Sequence, residues 1–380
     1  MTSQKNNAIY LQISNDLKEK ILNNVYEVGD KLPTENDLME AYNVSRVTAR
    51  KALETLVQQN FIVRHPGRGS YVTENKNTTV SDGTISNDTP LIGVILPEVT
   101  PCFGTQILPE IGKELKKNGL HLIYSGTEDN QYHEAIAIKE IRNLPISGLI
   151  IWPASGKYIG EEILKLVIDK VPVVLLDRYI QDIETNYVIS DNNAATKEAL
   201  NYLLTLGHQK IGICSKSPEF DSSIKERVST AANLLSEKGA SFNPNEDIIL
   251  VSENAFQNSE SIEAEREAMK QHVQNYLSQH PETTAFFVTE YYPATLLYQV
   301  LNALNYRIPE DISILCYDSP EFKLEQVVKF THVQQNEKHL AQKAVSLLLD
   351  SINNKVKNAS FLIDASLVIG DTTAKPSLKS

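Results

Sequence analysis

The sequence lacks any apolar run approaching the roughly 18–20 residues that cross a bilayer, and its opening, MTSQKNNAIYLQ, lacks the basic-then-apolar order of a signal peptide. A cytoplasmic protein that does not meet the membrane is expected. Cysteine is scarce: Cys102, Cys214 and Cys316 are far apart and form no CxxC pair. That excludes a disulfide framework and a zinc cluster, so the three are expected to be small buried hydrophobes. Phosphate-binding GxxxxGK[ST], HExxH and GxSxG are also missing. The eight histidines are scattered, with His332 and His339 seven apart. No catalytic residue, metal site or cofactor is therefore expected.

What remains is globular in kind, with 41% hydrophobic and 22% charged residues in a chain of 380, long enough for two or three domains. The net charge of −12 hides an asymmetry. Residues 1–74 hold nine Lys/Arg and nine Asp/Glu, and the rest of the chain carries the whole excess of acid. A neutral segment can still present a local basic surface. The tract ENKNTTVSDGTISNDT (74–89) has only Val80 and Ile85 as apolar residues and reads as a linker; a flexible chain of that length spans roughly 20–25 Å. The expected organisation is a domain at 1–73, the linker at 74–89, a large domain at 90–373 and a tail at 374–380.

In the first domain, Ile13, Leu17 and Ile21 share one helical face, predicting a helix from about Ala8 to Asn24. In LPTENDLMEAYNVSRVTARKALETL (32–56), Thr34 can cap a second helix that buries Leu38 and Ala41, though Asp37 stands where a capping box prefers Glu or Gln. Asn43 suits the turn, Ser45 caps a third helix, and Ala49, Ala52, Leu53 and Leu56 form its buried stripe. Arg46, Val47 and Arg50 lie off that stripe, and Ser45 and Thr48 sit in the first turn. Such a helix end fits the DNA major groove, where Arg bridges guanine O6 and N7, Val meets a thymine methyl and hydroxyls hold phosphate. The competing reading is a solvated helix end with two arginines. A hairpin then follows, Phe61–Val63 and Ser70–Val72 around HPGRG (65–69), with Arg68 at a tip suited to the minor groove.

Residues 9–73 resemble the winged helix-turn-helix DNA-binding domain of GntR-family regulators. Pro33, Glu35, Leu38, Val44, Ser45, Arg46, Thr48, Arg50, Ala52, Leu53, Gly67, Gly69 and Val72 carry the likeness. The resemblance implies that Arg46, Thr48 and Arg50 contact operator DNA, Thr34 a phosphate and the wing around Gly67 the minor groove. Asn36 and Ala49 depart from the basic and branched residues common in that family.

Beyond the linker, β-branched runs alternate with amphipathic stretches, the pattern of a parallel α/β sheet. The runs are LIGVILP (91–97), LHLIYSG (120–126), ISGLIIWP (146–153), VPVVLLD (171–177) and YVISD (187–191). A second series comprises KIGICSK (210–216), DIILVSE (247–253), TTAFFVTE (283–290), ISILCYD (312–318) and FTHVQQ (330–335). Two sets of about five strands predict two similar lobes. Ligands bind beyond the carboxyl ends of such strands, where Phe103, Asp177, Arg178, Glu290, Asp318 and Gln335 fall. One strand-end Asp is commonly a turn residue; several, with an Arg and a ring, suit vicinal hydroxyls. Trp152 could extend the ring surface or simply pack a lobe.

Residues 90–373 resemble the LacI-type effector domain and the periplasmic sugar-binding proteins, through PCFG (101–104), VPVVLLDR (171–178), SDNNAATKEALNYLLTLGHQKIGIC (190–214), RIPEDISILCYDSP (307–320) and THVQQ (331–335). That likeness implies that Phe103 packs on a sugar, that Asp177, Arg178, Arg227, Asp318 and Gln335 bond its hydroxyls, and that Glu290 takes a place usually held by Asn or Asp. Gly104 replaces a frequent second aromatic. A GntR-type head on a LacI-type body resembles the arabinose-responsive repressors, which implies a pentose as the small sugar effector. A palindromic operator pairing two heads predicts a homodimer on double-stranded DNA, and the want of a cationic cradle beyond Arg178 and Arg227 predicts an unphosphorylated sugar. A sugar-modifying enzyme and a transport-type binding protein are the rival readings.

Overall fold

The computed structural model describes residues 3–22, 25–58, 61–65, 68–73, 90–97, 99–156, 158, 160–239, 242–243, 245–252, 255–256, 258–320, 328–356 and 358–377. The expected linker and Gly67 lie outside these residues. The chain divides into two compact units, Met1–Ser86 and Asn87–Ser380.

The first unit contains α1 (Ser3–Leu22), α2 (Glu35–Tyr42), α3 (Arg46–Gln58) and the antiparallel hairpin of β1 (Ile62–His65) and β2 (Gly69–Val72). Its core joins Ile13 and Leu17 of α1, Leu38 of α2, and Ala49, Ala52, Leu53 and Leu56 of α3 to Phe61, Ile62 and Val72. Two expectations change. Helix α1 begins several residues before Ala8, and Ala41 is exposed, its expected place in the core taken by Met39 and Tyr42. The capping box at Thr34 is complete: Asp37 N–H donates to Thr34 Oγ1 at 3.3 Å and Thr34 N–H to Asp37 Oδ2 at 2.7 Å. The shorter Asp reaches because its carboxylate needs only to meet the cap residue's own N–H. Asn43 closes α2 in the left-handed conformation, φ 50°.

The second unit contains, in chain order, β3 (Leu91–Leu96), α4 (Ile107–Lys117), β4 (His121–Gly126), α5 (Gln131–Arg142), β5 (Ile146–Ile151), α6 (Glu161–Ile168), β6 (Val173–Leu176), β7 (Asn186–Ser190), α7 (Asn192–Leu206), β8 (Ile211–Ser215), α8 (Ser222–Glu237) and β9 (Ile248–Leu250). It continues through α9 (Ser259–Gln279), β10 (Ala285–Val288), α10 (Tyr291–Ala303), β11 (Ser313–Tyr317), β12 (Thr331–Gln334), α11 (Glu337–Ile352), β13 (Ser360–Ile363) and β14 (Ser366–Val368). The strands form two six-stranded sheets, β13-β7-β6-β5-β3-β4 and β14-β12-β11-β10-β8-β9, parallel throughout except for β14 on β12. Five strands per lobe were expected; β13 and β14 supply the sixth of each.

These last strands define the connectivity. The chain passes to the C-terminal lobe after β7, returns as α11, whose Leu340, Ala344 and Leu348 pack in the core of the N-terminal lobe, and crosses again between β13 and β14. Three crossings make a hinge at one edge of the cleft while each lobe keeps its own core. No helix among the described residues is long and apolar enough to cross a membrane.

Candidate functional site

On the head, α3 presents Arg46, Val47 and Arg50 outward, with Val47 75% exposed. An exposed Val here has no packing role in the head. Glu35 holds both Arg46 (3.1 Å) and Arg64 (2.6 Å), while Glu54 holds Arg50 (3.0 Å). Arg64 bonding lowers the Glu35 carboxyl below its usual range, with Arg46 adding to it. Thr34, Ser45 and Arg68 are exposed. Thr48 is different: it is buried, and its hydroxyl lies 2.8 Å from that of Ser45, so the structure does not bring it to the surface.

In the body, two aspartates face the cleft from matching positions. Asp177 follows β6 of one lobe and Asp318 follows β11 of the other. Each is left-handed, with φ 64° and 58°, and each donates its N–H to the neighbouring strand at 2.9 Å, to Val188 and Val333 carbonyls. Aspartate tolerates that conformation better than most residues, but a buried pair held so at strand ends points to function rather than to turn-making. Burial pushes both carboxyls up to about 7, against the opposing pull of Arg178 and Arg227 on Asp177 and of Arg227 and Gln335 on Asp318. The charges of Asp221 and Glu337 also raise Asp177, and those of Asp177 and Glu337 raise Asp318.

The decisive feature is what these groups leave unbonded. Asp177 Oδ1, Asp318 Oδ1 and Glu290 Oε2 are buried with no hydrogen-bond partner among the described residues, and so is Trp152 Nε1. Three acceptors and one donor, shielded from water, carry a substantial cost unless a polar ligand completes them. Phe103 lies edge-on to Trp152, ring centroids 5.2 Å apart. A Cβ on Gly104, φ 100°, would crowd Val99 Cγ1 at 3.0 Å and meet Trp152 Cζ3 at an ordinary contact distance of 3.4 Å. Trp152 is 5% exposed and packs in the core of the N-terminal lobe, with Phe103 partly buried against the same core.

The remaining expected residues are brought to the same region, but with their polar groups engaged. Arg178 pairs with Asp129 (2.8 Å) and Asp221 (2.6 Å), and its Nη1 donates to Pro153 O at 2.9 Å. Arg227 donates to Asn192 Oδ1 and Thr289 O, both at 2.9 Å, with its guanidinium 3.8 Å above the Tyr317 ring. Gln335 donates to Asp318 Oδ2 at 2.8 Å and accepts from Ser190 at 2.7 Å. Lys216 lies 3.3 Å from Glu290 Oε1. Asp129 and Asp221 are the residues that sequence reasoning missed; only the helix-cap pattern DSS at 221–223 signals one of them.

Fold and cleft together define the class: a winged-helix regulatory domain in one chain with a two-lobed periplasmic-binding-protein-like body. Residues 9–72 match the bacterial regulatory proteins of the gntR family, and residues 200–373 match the periplasmic binding protein-like domain. The chain is 24% identical over 379 residues to the arabinose metabolism transcriptional repressor of Halalkalibacterium halodurans, covering 96% of each. A structure of the transcription regulator CcpA of Lactococcus lactis matches with a TM-score of 0.63 at 20% identity, covering 75% of this chain and 99% of that one. A lac repressor dimer bound to operator and the anti-inducer ONPF matches at 0.62 and 20%, covering 76% and 95%. The chain is thus similar at one end to gntR-family regulatory proteins and along its length to transcriptional repressors.

Proposed function

We propose that the protein is a transcriptional repressor whose operator affinity is set by a small unphosphorylated sugar, a pentose such as arabinose, held between Asp177 and Asp318. The carrying observation is the set of buried, unbonded carboxylate oxygens on facing lobes, which vicinal hydroxyls would complete while Phe103 and Trp152 cover the apolar face of the ring. Such a ligand touches both lobes, so it binds their closed arrangement best, and it shifts the equilibrium by that difference in affinity. Arg46, Val47, Arg50 and Arg68 would read the DNA with Thr34 and Ser45 on phosphate, as a homodimer on a palindromic site.

Operator binding by fluorescence anisotropy and sugar binding by calorimetry test this together. Arg50→Ala should weaken operator binding about tenfold or more, the worth of one bidentate base contact, and leave sugar affinity unchanged. Asp318→Ala should do the reverse. If either substitution removes both activities from a folded protein, the division of labour is wrong.

A further inference from the structure

A cavity of about 230 Å³ lies in the body beside the central cleft, and of the eight residues assigned to the central ligand only Arg178 lines it. Its walls come from both lobes: Glu134, Tyr179 and Ile180 on one side, Phe220, Ser222 and Lys225 on the other. The two sides are already stitched together. Gly156 N–H donates to Phe220 O at 2.9 Å, Tyr179 N–H to Ser222 Oγ at 3.0 Å, and Lys225 to Gln181 Oε1 at 2.7 Å.

Glu134 is the unexplained group. It is 2% exposed, its Oε2 accepts the Ala154 N–H at 2.7 Å, and no described cation pairs with it. Its other oxygen has no hydrogen-bond donor among the described residues, yet the residue lines the cavity. Arg178, whose charge acts on it, is itself engaged by Asp129 and Asp221. Burial holds the Glu134 carboxyl up at about 7, so an anion would meet an acid and a cation would have to ionise it. Ile163, Ile180 and Phe220 add apolar wall. The volume equals about eight waters, room for one small ring with its substituents.

We propose that this cavity is a second saccharide subsite, which takes one uncharged hydroxylated ring next to the ring bound at Asp177 and Asp318. A hydroxyl donates to Glu134 and the ring face lies on Ile180 and Phe220. The inference rests on the reading of the body as a sugar sensor. The ring is either a second free monosaccharide or the second unit of a disaccharide whose first unit sits centrally.

Calorimetry on the full chain separates these, with L-arabinose and D-xylose against arabinobiose and xylobiose. Two monosaccharides per chain identify the free second sugar. One disaccharide per chain, bound at least tenfold more tightly than its monosaccharide, identifies the linked unit. Ile180→Trp, which fills the cavity, should remove the second event or the disaccharide advantage while central monosaccharide affinity stays within twofold; Glu134→Ala should do the same in part. One monosaccharide per chain, no disaccharide advantage and no effect of Ile180→Trp would overturn the subsite and leave the sensor reading intact. If neither wild type nor variant binds any of the four sugars, both fail.

Discussion

The two aspartates at the cleft make effector binding depend on pH in a direction that follows from their surroundings. Asp177 and Asp318 are held near 7 because burial disfavours their ionised forms and one oxygen of each has no donor among the described residues. A sugar hydroxyl donating to either carboxylate is a charge-assisted hydrogen bond of about 1.5–3 kcal/mol, which at about 1.36 kcal/mol per unit lowers a pKa by roughly one to two units. Binding therefore expels protons where the empty site still holds them. Affinity should rise about tenfold per carboxyl, about a hundredfold for both, between pH 5.5 and 8, and level off above that. Calorimetry at pH 6 in buffers of different ionisation heat counts the protons directly. Asp318→Asn, which cannot titrate, should halve both the proton count and the slope. The linkage also acts on stability. In the empty body these carboxyls have raised pKa values, so the folded state binds more protons than the unfolded one between about pH 4 and 7, and stability falls as pH rises through that window. The rise in melting temperature caused by sugar should accordingly be larger at pH 8 than at 5.5. Flat affinity, or proton uptake on binding, would refute the assignment of these oxygens to ligand hydroxyls.

Two further outcomes probe the head and the cleft edge. Thr48→Val removes a buried hydroxyl bonded to Ser45, and should lower the stability of the head by about 1 kcal/mol in a denaturant titration while weakening operator binding less than threefold; a hundredfold loss at unchanged stability would put that hydroxyl on the DNA. Asp221→Asn should retain the cap that Asp221 forms on Ser223 and Ile224 N–H groups but remove the charge facing Arg178. Loss of that partly buried pair should make the lobes part more readily and reduce sugar affinity about fivefold, close to 1 kcal/mol; unaltered affinity would show that the pair does not hold the lobes together.

Much of this architecture was legible because parallel strands are buried on both faces and so appear as unbroken apolar runs. All six residues of β3 and all five of β8 and β11 are buried. The same rule explains what escaped. The edge strands β13 and β14 are four and three residues long and largely exposed, so SFLI and SLV carry neither length nor a clean alternation. The hinge was illegible for the same reason, since its third crossing runs between those two strands. In the site, residue types at strand ends located the ligand region, but not which polar groups were free to act. Arg178 is engaged by Asp129, 49 positions away, and Gln335 by Ser190, 145 away; only folding makes such pairs neighbours. The engaged groups then have a clear role. Gln335, held by Ser190, orients the Asp318 carboxyl through Oδ2, and Arg178 and Arg227, fixed by their own partners, favour the charged carboxyls through their field. A ligand that completed Asp177 of one lobe and Asp318 of the other would bond both at once only while the lobes stay together. Recognition of the sugar and closure of the body are on this geometry one event, which is what a regulator needs if occupancy is to be felt beyond the cleft.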